Sequence, residues 1–207
     1  MGEIYLIRHG ETDWNKEAKF QGRTDIPLNS KGKNQAELLS KYLAKENFDY
    51  IYSSPLKRAI ETAIPLSKKL NKEILIRENW IEFDFGEWEG LTVKEVHEKY
   101  PIERDLWLYH TRKGKNTQKD ESFKEAYERL SIEKKYILEH HKNHKIAIFT
   151  HGAIIRAALY VFLDLPHLGF GKITISSCSI THFKIKDNRF ILVRLNYLYP
   201  DEIFSYF

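Results

Sequence analysis

The patterning of this chain predicts an α/β fold in which helices cover both faces of a mostly parallel sheet, with an antiparallel hairpin near the C-terminus. Three observations carry that reading. Short apolar runs of strand length alternate with longer segments whose apolar residues recur at helical spacing. Runs such as Ile4-Tyr5-Leu6-Ile7 end in polar, glycine-containing sequence, as buried strands do at a turn. The last two runs, 178–186 and 190–196, are separated by Lys186-Asp187-Asn188-Arg189, which reads as a hairpin turn.

Taken in order, the first strand spans 3–8. A helix follows with Ser30 as its cap and Ala36, Leu39, Tyr42 and Leu43 at helical spacing. The second strand is 49–53, and the helix after it runs from Leu56 to Leu70, where Pro65 predicts a kink or a break. A third strand covers 73–77. Residues 92–100 form a helix closed by Pro101, and a long helix runs from about Ser122 to His141. The strongest strand is 145–150, followed by a helix from about Gly152 to Leu163. The charged stretch Thr111 to Asp120 reads as a loop, either plain solvated surface or a cover that selects anionic substrates. There is no internal repeat and no low-complexity linker, so residues 1–207 are expected to form one domain.

Composition narrows the classes further. With 42% hydrophobic and 30% charged residues the chain is neither disordered nor fibrous. Its net charge of +4 is spread along the sequence without a basic block, which argues against nucleic-acid partners. A single cysteine, Cys178, excludes an internal disulfide and fits a reducing compartment. Without an acid–base neighbour it reads as a packed strand residue. Met1-Gly2-Glu3 leads directly into a strand, and no stretch approaches the ~20 apolar residues of a membrane span. A soluble, cytoplasmic protein without membrane partners is expected.

Four segments bring chemistry to strand ends, where open α/β sheets bind ligands. Arg8-His9-Gly10-Glu11 pairs an imidazole with a guanidinium, followed by Thr12 and Asn15. Ser53-Ser54-Pro55-Leu56-Lys57-Arg58 places Arg58 in the first turn of a helix, where backbone amides favour anions and a guanidinium fork suits two phosphate oxygens. Glu82-Phe83-Asp84-Phe85-Gly86-Glu87-Trp88-Glu89-Gly90 is a carboxylate-rich loop among aromatics, and Thr150-His151-Gly152 ends the strongest strand. Each alone is compatible with ordinary surface or turn roles. Together, two histidines, two arginines and an acid are what phosphoryl transfer through a phosphohistidine requires.

These segments, with Gln21-Gly22-Arg23-Thr24-Asp25-Ile26-Pro27-Leu28 between the first two, resemble the histidine phosphatase superfamily, which includes cofactor-dependent phosphoglycerate mutase and its phosphatase relatives. The match runs from residue 4 into the 150s in consistent order. The resemblance implies an α/β/α sandwich of three layers and assigns roles residue by residue. His9 would be the nucleophile. Arg8, Arg58 and His151 would surround the transferring phosphoryl oxygens, with Asn15 as a neutral donor. Gln21, Gly22 and Gly152 fall with the substrate-binding groups. Glu82 would protonate the leaving alkoxide and later activate water, with Phe83 and Phe85 raising its pKa by desolvation. Glu87 and Glu89 are rival acids. No metal and no cofactor are implied. His140, His141 and His144, at the end of the long helix, read as cations favoured by the helix dipole rather than as ligands.

The resemblance favours hydrolysis over mutase activity. His151 follows Glu82 by only 69 positions, too few for the insertion that mutases carry there, and Ala153 follows Gly152 where mutases have Asn. The expected substrate is a small phosphorylated metabolite, with α-ribazole 5′-phosphate, phosphoserine or broad specificity as candidates. Phe20, Phe83, Trp88, Trp107 and Tyr109 are candidate pocket aromatics, and Arg112, Lys113 and Lys115 candidate carboxylate contacts. A non-catalytic phospho-ligand binder is disfavoured because His9, Arg58, Glu82 and His151 are all present. The aromatic run from Leu195 to Phe207 is open to three readings: core packing, a homodimer contact, or the mouth of the site.

Overall fold

The structure is a computed structural model that describes residues 1–102, 121–166 and 170–199. Trp107, Tyr109, the 111–120 stretch with Arg112, Lys113 and Lys115, and the end of the aromatic run from 200 onward lie outside the described residues. The strands are β1 (Glu3–Arg8), β2 (Tyr50–Ser53), β3 (Ile74–Ile76), β4 (Lys145–Thr150), β5 (Ile180–Lys186) and β6 (Arg189–Tyr197). The helices are α1 (Asp13–Lys16), α2 (Ser30–Leu43), α3 (Lys57–Leu70), α4 (Val93–Lys99), α5 (Phe123–His140) and α6 (Gly152–Phe162). The sheet order is β3-β2-β4-β1-β5-β6. The pairs β3–β2, β2–β4 and β4–β1 are parallel, whereas β5 and β6 add as an antiparallel pair.

Strand alternation builds the two core layers. Ile4 and Leu6 of β1 point to one face and Tyr5 and Ile7 to the other; in β4, Ile146 and Ile148 oppose Ala147 and Phe149. The first face packs on α5, α6 and the Trp80–Trp88 segment, and the second on α2 and α3. The sheet is thus covered on both sides, as the pattern required. Because the chain leaves β1 toward α2 and leaves β4 toward α6, neighbouring strand ends diverge to opposite faces. A crevice opens there, at the carboxyl ends of the strands.

Local chemistry corrects several expectations. Asn29, not Ser30, caps α2: its side chain accepts from Gly32 N–H at 2.8 Å, and Ser30 is the first helical residue. Pro65 neither breaks nor divides α3, which runs unbroken through it; Ala63, Pro65 and Leu66 are all buried against the sheet, so packing outweighs one lost backbone bond. Cys178 is not a strand residue. It sits in a left-handed turn (φ 56°) ahead of β5, buried, where its N–H reaches the carbonyls of Arg8 and His9 at 3.1 and 3.3 Å. Burial pushes its thiol up to about 12, so it is inert as a nucleophile. The hairpin turn stands as read, with Asp187 and Asn188 both at positive φ (52° and 58°), the signature of a two-residue primed turn.

His141 is not a cation at a helix end. Burial first, then its neighbours His144 and His140, lower its pKa to about 4, and its Nε2 bonds the Tyr52 hydroxyl at 2.8 Å. Among the described residues no group of three or more His, Cys, Asp or Glu is arranged to hold a metal ion. No helix among them is long and apolar enough to cross a membrane.

One buried acid fixes the segment that leads into the Glu82 loop. Glu133 of α5 accepts from Arg77 Nε at 2.7 Å and Nη2 at 2.8 Å, from Asn79 at 2.8 Å and from Trp80 Nε1 at 3.0 Å. Thr150 Oγ1 donates to Trp80 O at 2.7 Å, tying the same segment to the end of β4. Removing the carboxylate strands these donors, so Glu133→Ala should lower unfolding free energy by about 3–5 kcal/mol. Urea unfolding with an unchanged denaturant slope measures that loss, and a shift below about 1 kcal/mol would show that the network is dispensable.

Candidate active site

The crevice holds a cavity of about 150 Å³. Eight of the nine predicted site residues line it: Arg8, His9, Asn15, Gln21, Gly22, Arg58, Glu82 and Gly152. The ninth, His151, stands behind His9 with ring centroids 5.3 Å apart. Lys19, Phe20, Phe85, Ala153 and Arg156 complete the wall.

The backbone places the two histidines by extending the parallel ladder past the strands. His9 N–H bonds Thr150 O at 2.9 Å, and Ser54 N–H bonds Phe149 O at 2.9 Å, so the ends of β1, β4 and β2 lie side by side. His9 Nδ1 lies 2.7 Å from the Gly10 carbonyl. A carbonyl only accepts, so Nδ1 carries the proton and Nε2 keeps its lone pair. Burial, then the charges of Arg58 and Arg8, hold the His9 pKa well below its ordinary value. The imidazole is therefore neutral at pH 7.

His151 has the opposite tautomer for an equally definite reason. Arg58 Nε donates to its Nδ1 at 3.2 Å, which leaves Nε2–H to donate to Ser54 Oγ at 2.7 Å. Burial and the Arg58 charge also hold this imidazole neutral. Both of its ring nitrogens thus have protein partners, Arg58 Nε on one side and Ser54 Oγ on the other.

Arg58 is fully buried in the first turn of α3. Its Nη1 donates to Thr24 O at 2.9 Å and its Nη2 to Gly22 O at 2.6 Å. Desolvation brings its pKa to about 10 against the opposing field of Glu82, so it stays charged at neutral pH. Arg8 is likewise lowered to about 10; its Nη1 bonds Ile175 O at 2.6 Å, while its buried Nε has no hydrogen-bond partner. Asn15 uses Oδ1 to cap α1 by accepting from Thr12 N–H at 3.1 Å, so its amide NH₂ remains the donor for a ligand. Gln21 is anchored by Thr12 Oγ1 at 3.0 Å. Gly22 has φ 51°, and a Cβ there would overlap the Glu89 carboxylate.

The three glutamates of the 82–90 loop are separated by their partners. Glu82 is buried, with Oε1 accepting from Phe83 N–H (3.0 Å) and Ile154 N–H (3.2 Å), and Oε2 from Ala153 N–H (3.2 Å). It thus lies across the N-terminus of α6. Burial raises its pKa, opposed by those bonds and by Arg58 and Arg8. Glu89 instead holds the 22–24 turn through Arg23 N–H and Thr24 N–H, both at 2.9 Å, and Glu87 accepts from the Tyr100 hydroxyl at 3.3 Å. Neither lines the cavity. Of the aromatics proposed for the pocket, Phe20 lines it, whereas Phe83 and Trp88 are core residues. Arg156 and Lys19 were not anticipated. Arg156 falls four residues after Gly152, one helical turn on, and that spacing was the signal available.

The family model of the histidine phosphatase superfamily (branch 1) matches residues 4–198. This chain belongs to that superfamily. A relative, phosphoserine phosphatase 1 of Hydrogenobacter thermophilus, is 32% identical over 95% of this chain and 92% of its own. The metal-independent phosphoserine phosphatase of Arabidopsis thaliana is 31% identical over 92% of this chain and 79% of its own. A solved structure of a phosphoserine phosphatase mutant from Entamoeba histolytica in complex with phosphoserine superposes with a TM-score of 0.86 at 31% identity, covering 95% of this chain and 98% of that one. As a histidine phosphatase, this chain is an enzyme that hydrolyses phosphate esters, and its substrate is a small phosphorylated molecule.

Two imidazoles held neutral by burial make acid stability predictable. A group whose folded pKa is depressed contributes stability that is present above its unfolded value of 6.5 and lost as pH falls through the folded pKa. Unfolding free energy should therefore decline below pH 6.5, by up to about 1.4 kcal/mol per pH unit for each such histidine. His9→Asn should make the decline shallower in denaturant titrations at pH 7.5, 6.5 and 5.5, and an unchanged slope would contradict a buried neutral His9.

Proposed function

We propose that this phosphatase hydrolyses phosphomonoesters of the phosphoserine type through a phosphohistidine on His9, using its own side chains and water. The observation that carries the reading is His9 itself. Its Nδ1–H is fixed on the Gly10 carbonyl and its Nε2 lone pair is free, in a cavity whose wall includes Arg8, Arg58 and Glu82. Phosphoryl transfer needs little else: a positioned nucleophile, cations around the equatorial oxygens and an acid for the leaving group.

In the first half-reaction Nε2 attacks phosphorus and the P–O bond to the alcohol breaks. The departing alkoxide takes its proton from Glu82. Arg8, Arg58 and the Asn15 amide take up charge on the equatorial oxygens. The phosphoimidazolium keeps its Nδ1–H on Gly10 O, which stabilises its positive charge. Arrival of a phosphate dianion beside Glu82 adds to the desolvation that already raises its pKa, and so favours the protonated form when an acid is needed. In the second half, carboxylate Glu82 accepts a proton from water as that water's oxygen attacks phosphorus. The N–P bond breaks and His9 recovers its lone pair. His151 acts as a positioning residue, holding Arg58 through its Nδ1.

The phosphoserine assignment is supported by the named relatives and by the ester bound in the similar structure. Release of phosphate from phosphoserine and p-nitrophenyl phosphate, beside a coupled assay for conversion of 3- to 2-phosphoglycerate, tests it. His9→Ala should abolish release from both esters. Glu82→Gln should slow phosphoserine by about 10²–10⁴-fold while affecting the aryl ester far less, since p-nitrophenolate leaves unaided. Equal losses on both would remove Glu82 as the acid, and isomerisation without release would make the enzyme a mutase.

A further inference from the structure

Arg156 is a cavity cation that hydrolysis of a bare phosphate ester leaves unused. Arg8, Arg58 and Asn15 already supply the donors for the phosphoryl oxygens. Arg156 sits on α6 one turn beyond Gly152, whose hydrogen-side face lies against Arg8: a Cβ added there would come 3.4 Å from Arg8 Nε. The guanidinium of Arg156 thus belongs to the same wall, close enough to Arg8 for its charge to oppose that of Arg8.

Its bonding is incomplete. Nε of Arg156 is buried without a hydrogen-bond partner, and among the described residues no carboxylate forms an ion pair with it. The acid whose field it feels is Glu82, whose oxygens are already taken by three backbone N–H groups. A guanidinium half-removed from water and left unpaired is costly unless a ligand completes it. The other cation on this side, Lys19, is occupied by Glu17 at 2.6 Å. Phe20 and Phe85 form apolar walls that strengthen whatever charge pair forms between them.

We propose that Arg156 is a second anion subsite, binding the carboxylate of the substrate while Arg8 and Arg58 bind its phosphate. This rests on the phosphoserine-type reading above and deepens it: the preferred esters carry a carboxylate a few bonds from the phosphate oxygen. Arg156 then sets specificity and acts through binding, with no part in the bond changes at phosphorus. A guanidinium suits this role because its planar fork matches a carboxylate with two parallel hydrogen bonds.

O-phosphoethanolamine is phosphoserine without the carboxylate, so the pair isolates the contact. Wild-type enzyme should prefer phosphoserine in kcat/KM by about 10- to 100-fold, the worth of one charge-assisted hydrogen-bonded pair. In Arg156→Met the ratio of the two kcat/KM values should collapse toward one, through KM for phosphoserine, and Arg156→Lys should restore part of it. If wild-type enzyme handles the two esters equally, or Arg156→Met lowers both in the same proportion, Arg156 is a third phosphate cation and the subsite is overturned while ester hydrolysis stands. If neither ester is turned over but p-nitrophenyl phosphate is, the phosphoserine reading fails and takes the subsite with it. The wild-type ratio and the lysine variant decide the matter even if the methionine variant does not fold.

Discussion

The buried guanidinium of Arg58 is the constraint on which the site depends. Removing a guanidinium from water is expensive, and the fold offsets that cost with three directed acceptors: Gly22 O, Thr24 O and His151 Nδ1. Those acceptors come from the loop ahead of α2 and from the end of β4, whereas Arg58 itself rides on α3. One side chain thereby locks three separate parts of the chain around the crevice. It also decides the tautomer of His151 and contributes to holding His9 neutral. A nucleophile that must be uncharged is kept so first by burial and then by the same cation that is placed to receive the substrate's charge.

The acidic loop shows how environment divides labour among identical side chains. Glu82 lies across the start of α6 in a desolvated setting and is biased toward its protonated form. Seven residues on, Glu89 bonds backbone N–H groups of the 22–24 turn, shaping the acceptors that Arg58 uses. Gly22 at positive φ makes that arrangement sterically feasible, because any side chain there would occupy the space of the Glu89 carboxylate. Further back, Glu133 fixes Arg77, Asn79 and Trp80, so the chain enters the loop from a rigid base. Catalytic position thus depends on three carboxylate anchors, of which only Glu82 faces the cavity.

Much of this was legible in the sequence, for identifiable reasons. Strand alternation in Ile4 to Ile7 and Ile146 to Phe149 encodes a sheet covered on both faces, because period-two patterning survives any tertiary arrangement. Arg8, His9, Arg58, Glu82 and His151 announced themselves as reactive types at strand ends. Misreadings arose where packing overrules local preference. Pro65 continues a helix because its neighbours are buried, Asn29 caps where Ser30 was expected because the chain enters one residue earlier, and His141 is neutral because Tyr52 and the sheet cover it. Each depends on what lies across the fold, which a local window does not contain.

The sequence by itself determined the order of the strands and of every helix but the short α1, the family and the inventory of reactive groups, because these follow from residue type and spacing along one dimension. Only the tertiary structure decided which nitrogen of each histidine bears a proton, which of three glutamates faces the cavity, and that His151 stands behind His9. It alone brought Arg156 and Lys19 to the wall. The physical reason is that protonation, tautomer and pairing are set by hydrogen-bond partners and desolvation. Those partners are supplied by residues distant in sequence: Arg58 lies 93 residues from His151, and Glu82 lies 71 from Ala153.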